Sequence, residues 1–306
     1  VEADAVIVTW RSGARVLECL ERLALQHPAE RTFVVDNASN DGTVDGVRAT
    51  FPGVRVLELE RNRGFGGAVN AGVRSGRSEA LVLVNDDVLL APDAVERLLE
   101  PLGADPRCGM VAGLTLLPHA ELVDGFGIEL DVTLAAYNRL RGQRPDGSPG
   151  RLAMPSGGLA AYRRVAFEQV KGFDERLLAY GEDVDLGLRL RLAGWTASAA
   201  PAARGVHEGG ASIGRGSRQQ RMLAGIARGF LLRRYGVLRG RHAPRTLLVE
   251  CMVVAWGLIA HRTLVPLRAR ARGWRLAGRE RLPVPEDSLD RSIGLREAMR
   301  RLSSAQ

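Results

Sequence analysis

The chain has 306 residues, 45% of them hydrophobic and 25% charged, with a formal net charge of +8. That composition is ordinary for a globular protein, and the length allows one large domain or two smaller ones with a sizeable core. Three cysteines, Cys19, Cys108 and Cys251, are far apart, odd in number and without metal-site spacing, which argues for a reducing compartment and excludes a disulfide scaffold. The opening "VEADAVIVTW" carries two acids and no basic stretch, a pattern unlike a signal peptide.

In chain order, residues 3–10 read as a strand and 13–26 as a helix. A second strand covers 31–39, with a helix after Gly42. A third strand covers 54–60, followed by a helix over 67–76. A fourth, "EALVLVNDDV" (79–88), precedes a helix after Pro92 that leads to "CGMVAGLTLL" (108–117). Strand-helix alternation with nearly continuous Val/Leu strands predicts a parallel sheet covered on both faces. Such sheets bind ligands outside the carboxyl ends of their strands. Thr9, Asp36 and Asp86-Asp87 end strands one, two and four and fall on that same edge.

Residues 118–156 lose periodicity and collect Gly, Pro, Asp and Arg, as an irregular segment or lid would. Order returns with "SGGLAAYRR" (156–164) and a helix from Val165. Val184, Leu188, Leu192 and Trp195 then recur on one face of a helix whose first turn holds Glu182, Asp183 and Asp185. Residues 196–212 read as an extended return ending in a Gly-rich loop. From about residue 217 the pattern is helical and rich in arginine. No internal repeat is visible.

Charge divides unevenly. Residues 201–306 hold 21 Arg and 7 acids, a balance of +14, which leaves residues 1–200 at −6. A basic tail on an acidic body suits an anionic partner, or forms a solvated helical face. Within it "TLLVECMVVAWGLIA" (246–260) is apolar except for Glu250, and its 15 residues fall short of a membrane span. Arg239, Arg241, Arg245, Arg262, Arg268 and Arg270 flank it. A helix lying on an anionic bilayer and a core helix packed on the body are both open readings.

Several residues have chemistry to offer. Adjacent Asp86 and Asp87 at the end of a buried strand repel each other; they either begin a turn or await a divalent cation with hard oxygen ligands. His207, beside a Gly-rich loop, is a candidate further ligand or a structural histidine. The stretch "RNRGFGGAVNAG" (61–72) offers backbone N–H groups to phosphate, yet it is neither a dinucleotide fingerprint nor a Walker loop. Glu182-Asp183 either complement a helix dipole or supply a general base.

Seven blocks occur in one order: "VIVTW", "VVDNASNDGT", "NRGFGGAVNAG", "LVLVNDDVLL", "SGGLAAYRRVAFEQVKGFDE", "GEDVDLGLRLRLAGW" and "VHEGGAS". Over residues 3–212 the chain resembles the inverting glycosyltransferases of family two, in particular rhamnosyltransferases of bacterial cell-wall and O-antigen assembly. The resemblance implies a GT-A fold, Rossmann-like and mostly parallel, a nucleotide-sugar donor and Mg²⁺ or Mn²⁺. By position, Thr9, Asp36 and Asn37 would meet the nucleoside. Arg63, Gly64, Phe65, Gly66 and Asn70 would line the donor site, with Asn85 and Asp86 at the sugar or ribose. Asp87 and His207 would hold the metal. Asp183 would be the base, supported by Glu182. Asn85 departs from a strict D-x-D motif.

The implied organisation is a catalytic domain over residues 1–212, with a nucleotide-sugar half (1–117) and an acceptor half (118–212), and a basic helical extension over 213–306. dTDP-rhamnose is the first expected donor and a UDP-hexose its competitor; the acceptor is a glycan or a polyprenyl-diphosphate-linked sugar. The expected location is cytoplasmic, peripheral on the inner face of the membrane. Nucleic acid is not an expected partner, because the acidic pairs oppose a phosphate backbone and the tail's Phe230, Tyr235, Trp256 and Trp274 are widely spaced.

Overall fold

The computed structural model describes residues 1–147, 150–209 and 217–304. Strands β1 (Ala3–Thr9), β2 (Thr32–Asp36), β3 (Arg55–Glu58) and β4 (Ala80–Asn85) run parallel in the order β3-β2-β1-β4. Successive strand side chains point to opposite faces. Val6, Phe33, Leu81 and Leu83 therefore enter one core, while Ala5, Ile7, Val34, Val82 and Val84 enter another. Both faces need cover, which is why these strands read as continuous apolar runs. Helices α1 (Arg15–Ala24), α2 (Thr43–Thr50) and α4 (Ala94–Ala104) supply one layer, and α3 (Gly64–Ser75) the other. Gly72 of α3 lets the helix sit tight on the sheet, since a Cβ there would meet Val6 Cγ1 at 2.6 Å.

Beyond β4 the sheet turns mixed. The short β5 (Val88–Leu90) follows the Asp86-Asp87 turn. β6 (Cys108–Leu116) does not pair with β4 directly, because β10 (Leu159–Arg163) inserts between them, antiparallel to both. A short helix, α5 (Arg164–Gln169), follows β10. β11 (Thr196–His207) runs parallel to β6, then shifts register between Ala200 and Arg204 and pairs antiparallel with β5, setting His207 opposite Val88.

Residues 118–156 are largely irregular, as the sequence suggests, but they also carry short strands. They hold β7 (Val123–Gly125), paired with β6, and a hairpin of β8 (Ile128–Leu130) and β9 (Ala136–Asn138). Residues 123–135 are buried throughout. The alternation went unread because "VDGFGIELDV" buries acids that are each matched in the fold: Glu129 meets Arg301 and Asp131 meets Arg245. Helix α6 (Glu182–Leu192) also departs from expectation. It is buried on nearly every side, with Asp185, Leu186 and Leu190 inside as well as Val184 and Leu188, whereas Leu192 is exposed.

The arginine-rich part comprises α7 (Arg218–Arg234), α8 (Ala243–His261), α9 (Val265–Leu276) and α10 (Leu295–Ser304). Phe230, Leu231 and Leu232 of α7 share the core that holds α6. Gly229 and Gly273 each face backbone of the opposite helix, leaving no room for a Cβ, so α7 and α9 touch along their main chains. Many arginines turn inward instead of presenting a free cationic face. Arg228 donates to the Leu134 carbonyl at 2.7 Å, and Arg234 to Asp174 at 2.8 Å. The Gly-rich loop expected after His207 lies, from Gly210 onward, outside the described residues.

Candidate active site

The carboxyl edge of the parallel strands collects the predicted polar residues. Thr9 and Asp36 are register partners on β1 and β2, both buried. Asp36 Oδ2 accepts the Ser39 backbone N–H at 3.0 Å. Its Oδ1 and the Thr9 hydroxyl are buried with no partner at hydrogen-bond geometry among the described residues. Buried polar atoms are normally satisfied, so these two mark a place where a polar ligand belongs.

Asp86 accepts a hydrogen bond from the Ser12 hydroxyl. Burial pushes the Asp86 carboxyl above the usual range; Ser12 opposes that shift and the charge on Asp87 adds to it. Cys19 lies close beneath, its thiol donating to the Asn85 carbonyl at 3.5 Å, and burial beside the two acids keeps it protonated. Asp87 stands in the turn between β4 and β5. His207 Nε2 lies 3.1 Å from Asp87 Oδ1, and Nδ1 lies 2.6 Å from Asp124 Oδ2. Arg141 holds the other oxygen of Asp124 at 3.2 Å. Burial would lower the His207 pKa, but the two carboxylates outweigh it and raise it to about 9.

Asp124, Ser12 and Arg141 escaped the sequence reading. Ser12 follows a strand end on the right edge, a usable signal. Asp124 is an acid inside an apolar run, and only the pairing of β7 with β6 brings it to His207.

Glu182 and Asp183 open α6 behind Gly181, whose φ of 73° turns the chain into the helix. Glu182 is buried, and its Oε2 has no partner among the described residues. Asp183 Oδ1 accepts the Val184 N–H at 2.8 Å. Burial raises the proton affinity of both carboxyls above the ordinary range, and for Glu182 the charge on Asp183 adds to it. Both charges act on the buried Tyr162 phenol of β10, the strand beside β4.

In the Gly-rich stretch, expected to line the donor site, several groups have partners within the fold. The Gly64 N–H donates to Asn62 Oδ1 at 2.9 Å and the Phe65 N–H to the Leu178 carbonyl at 2.9 Å, so the first N–H groups of α3 are already satisfied. A Cβ on Gly66 would meet Phe173 Cβ at 2.7 Å. Asn70 bonds the Phe173 backbone in both directions, at 2.9 and 3.0 Å. Arg63 pairs with Glu175 at 2.5 Å, and Asn37 accepts the Arg63 N–H at 2.7 Å. These residues brace the 172–178 loop that leads into α6. Phe65 stacks edge-on against Phe173 at 5.9 Å and lies under Gly157, just before β10. Gly64 and Gly66 thus allow close packing against Leu178 and Phe173.

The sequence pattern of glycosyl transferase family 2 matches residues 4–171, more than half of the chain. The chain belongs to this family. An N-acetylglucosaminyl-diphospho-decaprenol L-rhamnosyltransferase of Mycobacterium tuberculosis is 31% identical over 240 residues, 69% of this chain and 77% of that one. Among solved structures, the mannosyltransferase PcManGT from Pyrobaculum calidifontis, in complex with GDP-Man and Mn²⁺, aligns with a TM-score of 0.57 at 21% identity, covering 90% of this chain and 80% of that one. GalNAc-T7 with UDP, GalNAc and Mn²⁺ aligns at 0.60 and 16% identity, covering 86% and 58%. The family 2 glycosyltransferase thus has the GT-A fold, its mostly parallel sheet as expected.

Does the geometry fit a divalent ion? Among the described residues no three His, Cys, Asp or Glu side chains group tightly enough to cage one. Mg²⁺ and Mn²⁺ at nucleotide sites need less, one or two protein ligands plus substrate phosphates and water. Asp87 and His207 face one another at ligand-like separation, and Asp124 orients the far ring nitrogen as outer carboxylates do for metal-bound histidines. The residues fit.

Proposed function

We propose that this glycosyltransferase moves L-rhamnose from dTDP-rhamnose to a hydroxyl of a glycan or polyprenyl-diphosphate-linked acceptor, at the cytoplasmic face of the membrane where cell-envelope polysaccharide is assembled. The observation that carries the reading is the sheet edge itself: Thr9, Asp36, Asp86 and Asp87 converge there, with unpartnered buried oxygens on Thr9 and Asp36 and with His207 facing Asp87 at 3.1 Å. The choice of sugar and acceptor is supported by the mycobacterial relative's name.

Thr9 and Asp36 would receive the nucleoside, using their unpartnered oxygens. Asp87 and His207 would hold the divalent ion, Mg²⁺ or Mn²⁺, which when bound supplies positive charge to the leaving diphosphate. Asp124 keeps the His207 ring turned towards Asp87. Asp183 accepts the proton of the acceptor hydroxyl as its oxygen attacks the anomeric carbon opposite the leaving group. One C–O bond forms as the bond to phosphate breaks, so the configuration inverts in a single step. A proton affinity raised by burial suits a base that works near neutral pH.

A thermal-shift panel of dTDP, UDP and GDP, each with and without Mn²⁺, tests this, because ligand bound to the folded state raises the melting temperature. The expected result is a metal-dependent shift with dTDP that Asp87→Ala abolishes. A preference for UDP would transfer the reading to a UDP-hexose. No shift with any nucleotide would overturn it.

A further inference from the structure

We infer that the outward face of α8 rests on an anionic lipid bilayer, with the helix lying in the surface rather than crossing it. This deepens the proposed function by naming the part that meets the membrane, and rests on it only for why the enzyme should be there.

α8 has an inner stripe at helical spacing: Thr246, Val249, Glu250, Val253 and Gly257 turn towards the protein. Leu247, Leu248, Met252, Trp256, Leu258 and Ile259 turn outward, Trp256 at 55% and Ile259 at 76% exposure. Only 17% of the helix's most apolar 18-residue stretch is buried. A core helix would show the reverse. On soluble proteins a contiguous apolar face of this kind marks an interaction surface.

Glu250 decides what kind of surface it is. The lone acid of α8 points inward, bonded to Arg228 of α7 at 2.7 Å and to Arg270 of α9 at 2.5 Å. The outward face is thus free of ionised groups from Thr246 to Ala260, while exposed Arg239 and Arg241 stand before the helix and Arg262 and Arg268 after it. An apolar face with an exposed Trp and a cationic rim matches the acyl-headgroup boundary of an anionic leaflet. A second copy of the chain would set one arginine rim against another. Crossing the bilayer would tear Glu250 from both guanidinium partners and carry it into hydrocarbon. It would also part Gly257 from Pro266, which a Cβ at Gly257 would meet at 2.7 Å. The protein body replaces the polar face that an isolated interfacial helix needs.

The test is co-sedimentation of the full chain with vesicles of phosphatidylglycerol and phosphatidylcholine in equal parts, against phosphatidylcholine alone, at low and high salt. The wild type should bind the anionic vesicles and weaken with salt. The double variant Trp256→Ser, Ile259→Glu should bind at least about tenfold less, with an unchanged melting temperature, since both positions face away from the protein. Equal binding by the variant, or no binding by the wild type, overturns the inference. So does dimerisation of the wild type that the variant loses without any vesicle binding. The nucleotide thermal shift separates the two readings: loss of vesicle binding leaves it intact, whereas failure of the transferase reading removes the shift and leaves vesicle binding untouched.

Discussion

Buried acids are treated in two opposite ways in this molecule. One set is matched by arginine. Glu250 sits between Arg228 and Arg270, and Asp185 lies against Arg189 and Arg234. Their environment keeps the Glu250 carboxyl below its usual range despite burial. At the strand edge and the start of α6, burial is the largest influence on Asp86, Glu182 and Asp183 and raises all three, with Arg15 opposing it only weakly at Asp86. Burying a carboxylate costs several kcal/mol unless it is compensated. Acids that the fold neutralises hold helices together; acids that it leaves exposed to their own repulsion are kept for a ligand or a proton. Charge alone does not separate the two classes, but partners do.

The comparison breaks most easily at Asp183. Asp183→Asn should cut kcat by ~10²–10⁴ while leaving the melting temperature unchanged or raising it, because burial opposes the lost charge and the amide oxygen can still accept the Val184 N–H. A fall in stability with activity retained would place Asp183 in the structural class. Glu250→Ala should do the opposite, costing about 3 kcal/mol of stability by stranding two guanidinium groups, with kcat per folded molecule unchanged. Chemical denaturation alongside an active-site titration would separate the two effects. Asp124→Asn lies between them, lowering Mn²⁺ affinity ~10–100-fold through the orientation of His207; calorimetric Mn²⁺ titration in the presence of dTDP measures it.

The smallest effect is on pH dependence. A base with a raised pKa makes kcat/KM rise with pH along an acidic limb above the ordinary carboxylate range, and Glu182→Gln should leave that limb nearly in place, because Glu182 is pushed higher than Asp183 and keeps its proton while Asp183 titrates. Stability runs the other way. Carboxyls whose pKa is raised in the folded state contribute stability that is fully present below their unfolded pKa and is lost as pH rises through the folded one. Glu182→Gln should therefore flatten the fall in melting temperature between acidic and neutral pH.

The same distinction explains what could be read in the sequence. β1, β2 and β4 are apolar runs ending in polar residues, so their common edge and the gathering of Thr9, Asp36 and Asp86-Asp87 follow from local pattern. Glu182 and Asp183 at a helix start are equally local. What stayed hidden depends on pairing across long separations. β10 enters the sheet antiparallel between β4 and β6, 74 residues after Asn85 in the chain, and nothing in "LAAYR" specifies that place. Asp124 and Arg141 matter only because β7 lies against β6. The glycines of "RGFGGAVNAG" resemble a phosphate loop in composition, but whether they face a ligand or Phe173 is set by the 172–178 loop. The arginines of the tail look like a free cationic surface until their partners, such as Asp131 and Asp174, are seen to come from the body.

The register shift in β11 has a consequence for how this chain can change over time. Ala200 pairs with Gly113 and Arg204 with Leu114, so Pro201, Ala202 and Ala203 are extra to the partner strand. They form a bulge beyond which β11 still pairs with β6 while its other edge pairs with β5, and so they bring His207 to the turn that holds Asp87. Adding or removing one residue here would turn His207 to the opposite face of the sheet, and a change of two would carry it past Asp87. The segment is therefore free to drift in spelling, since Pro201 and Ala202 are exposed, but not in length. Among related chains, substitutions should accumulate at Pro201 and Ala202, while Ala203, buried in the core, stays small and insertions and deletions are purged from all three positions.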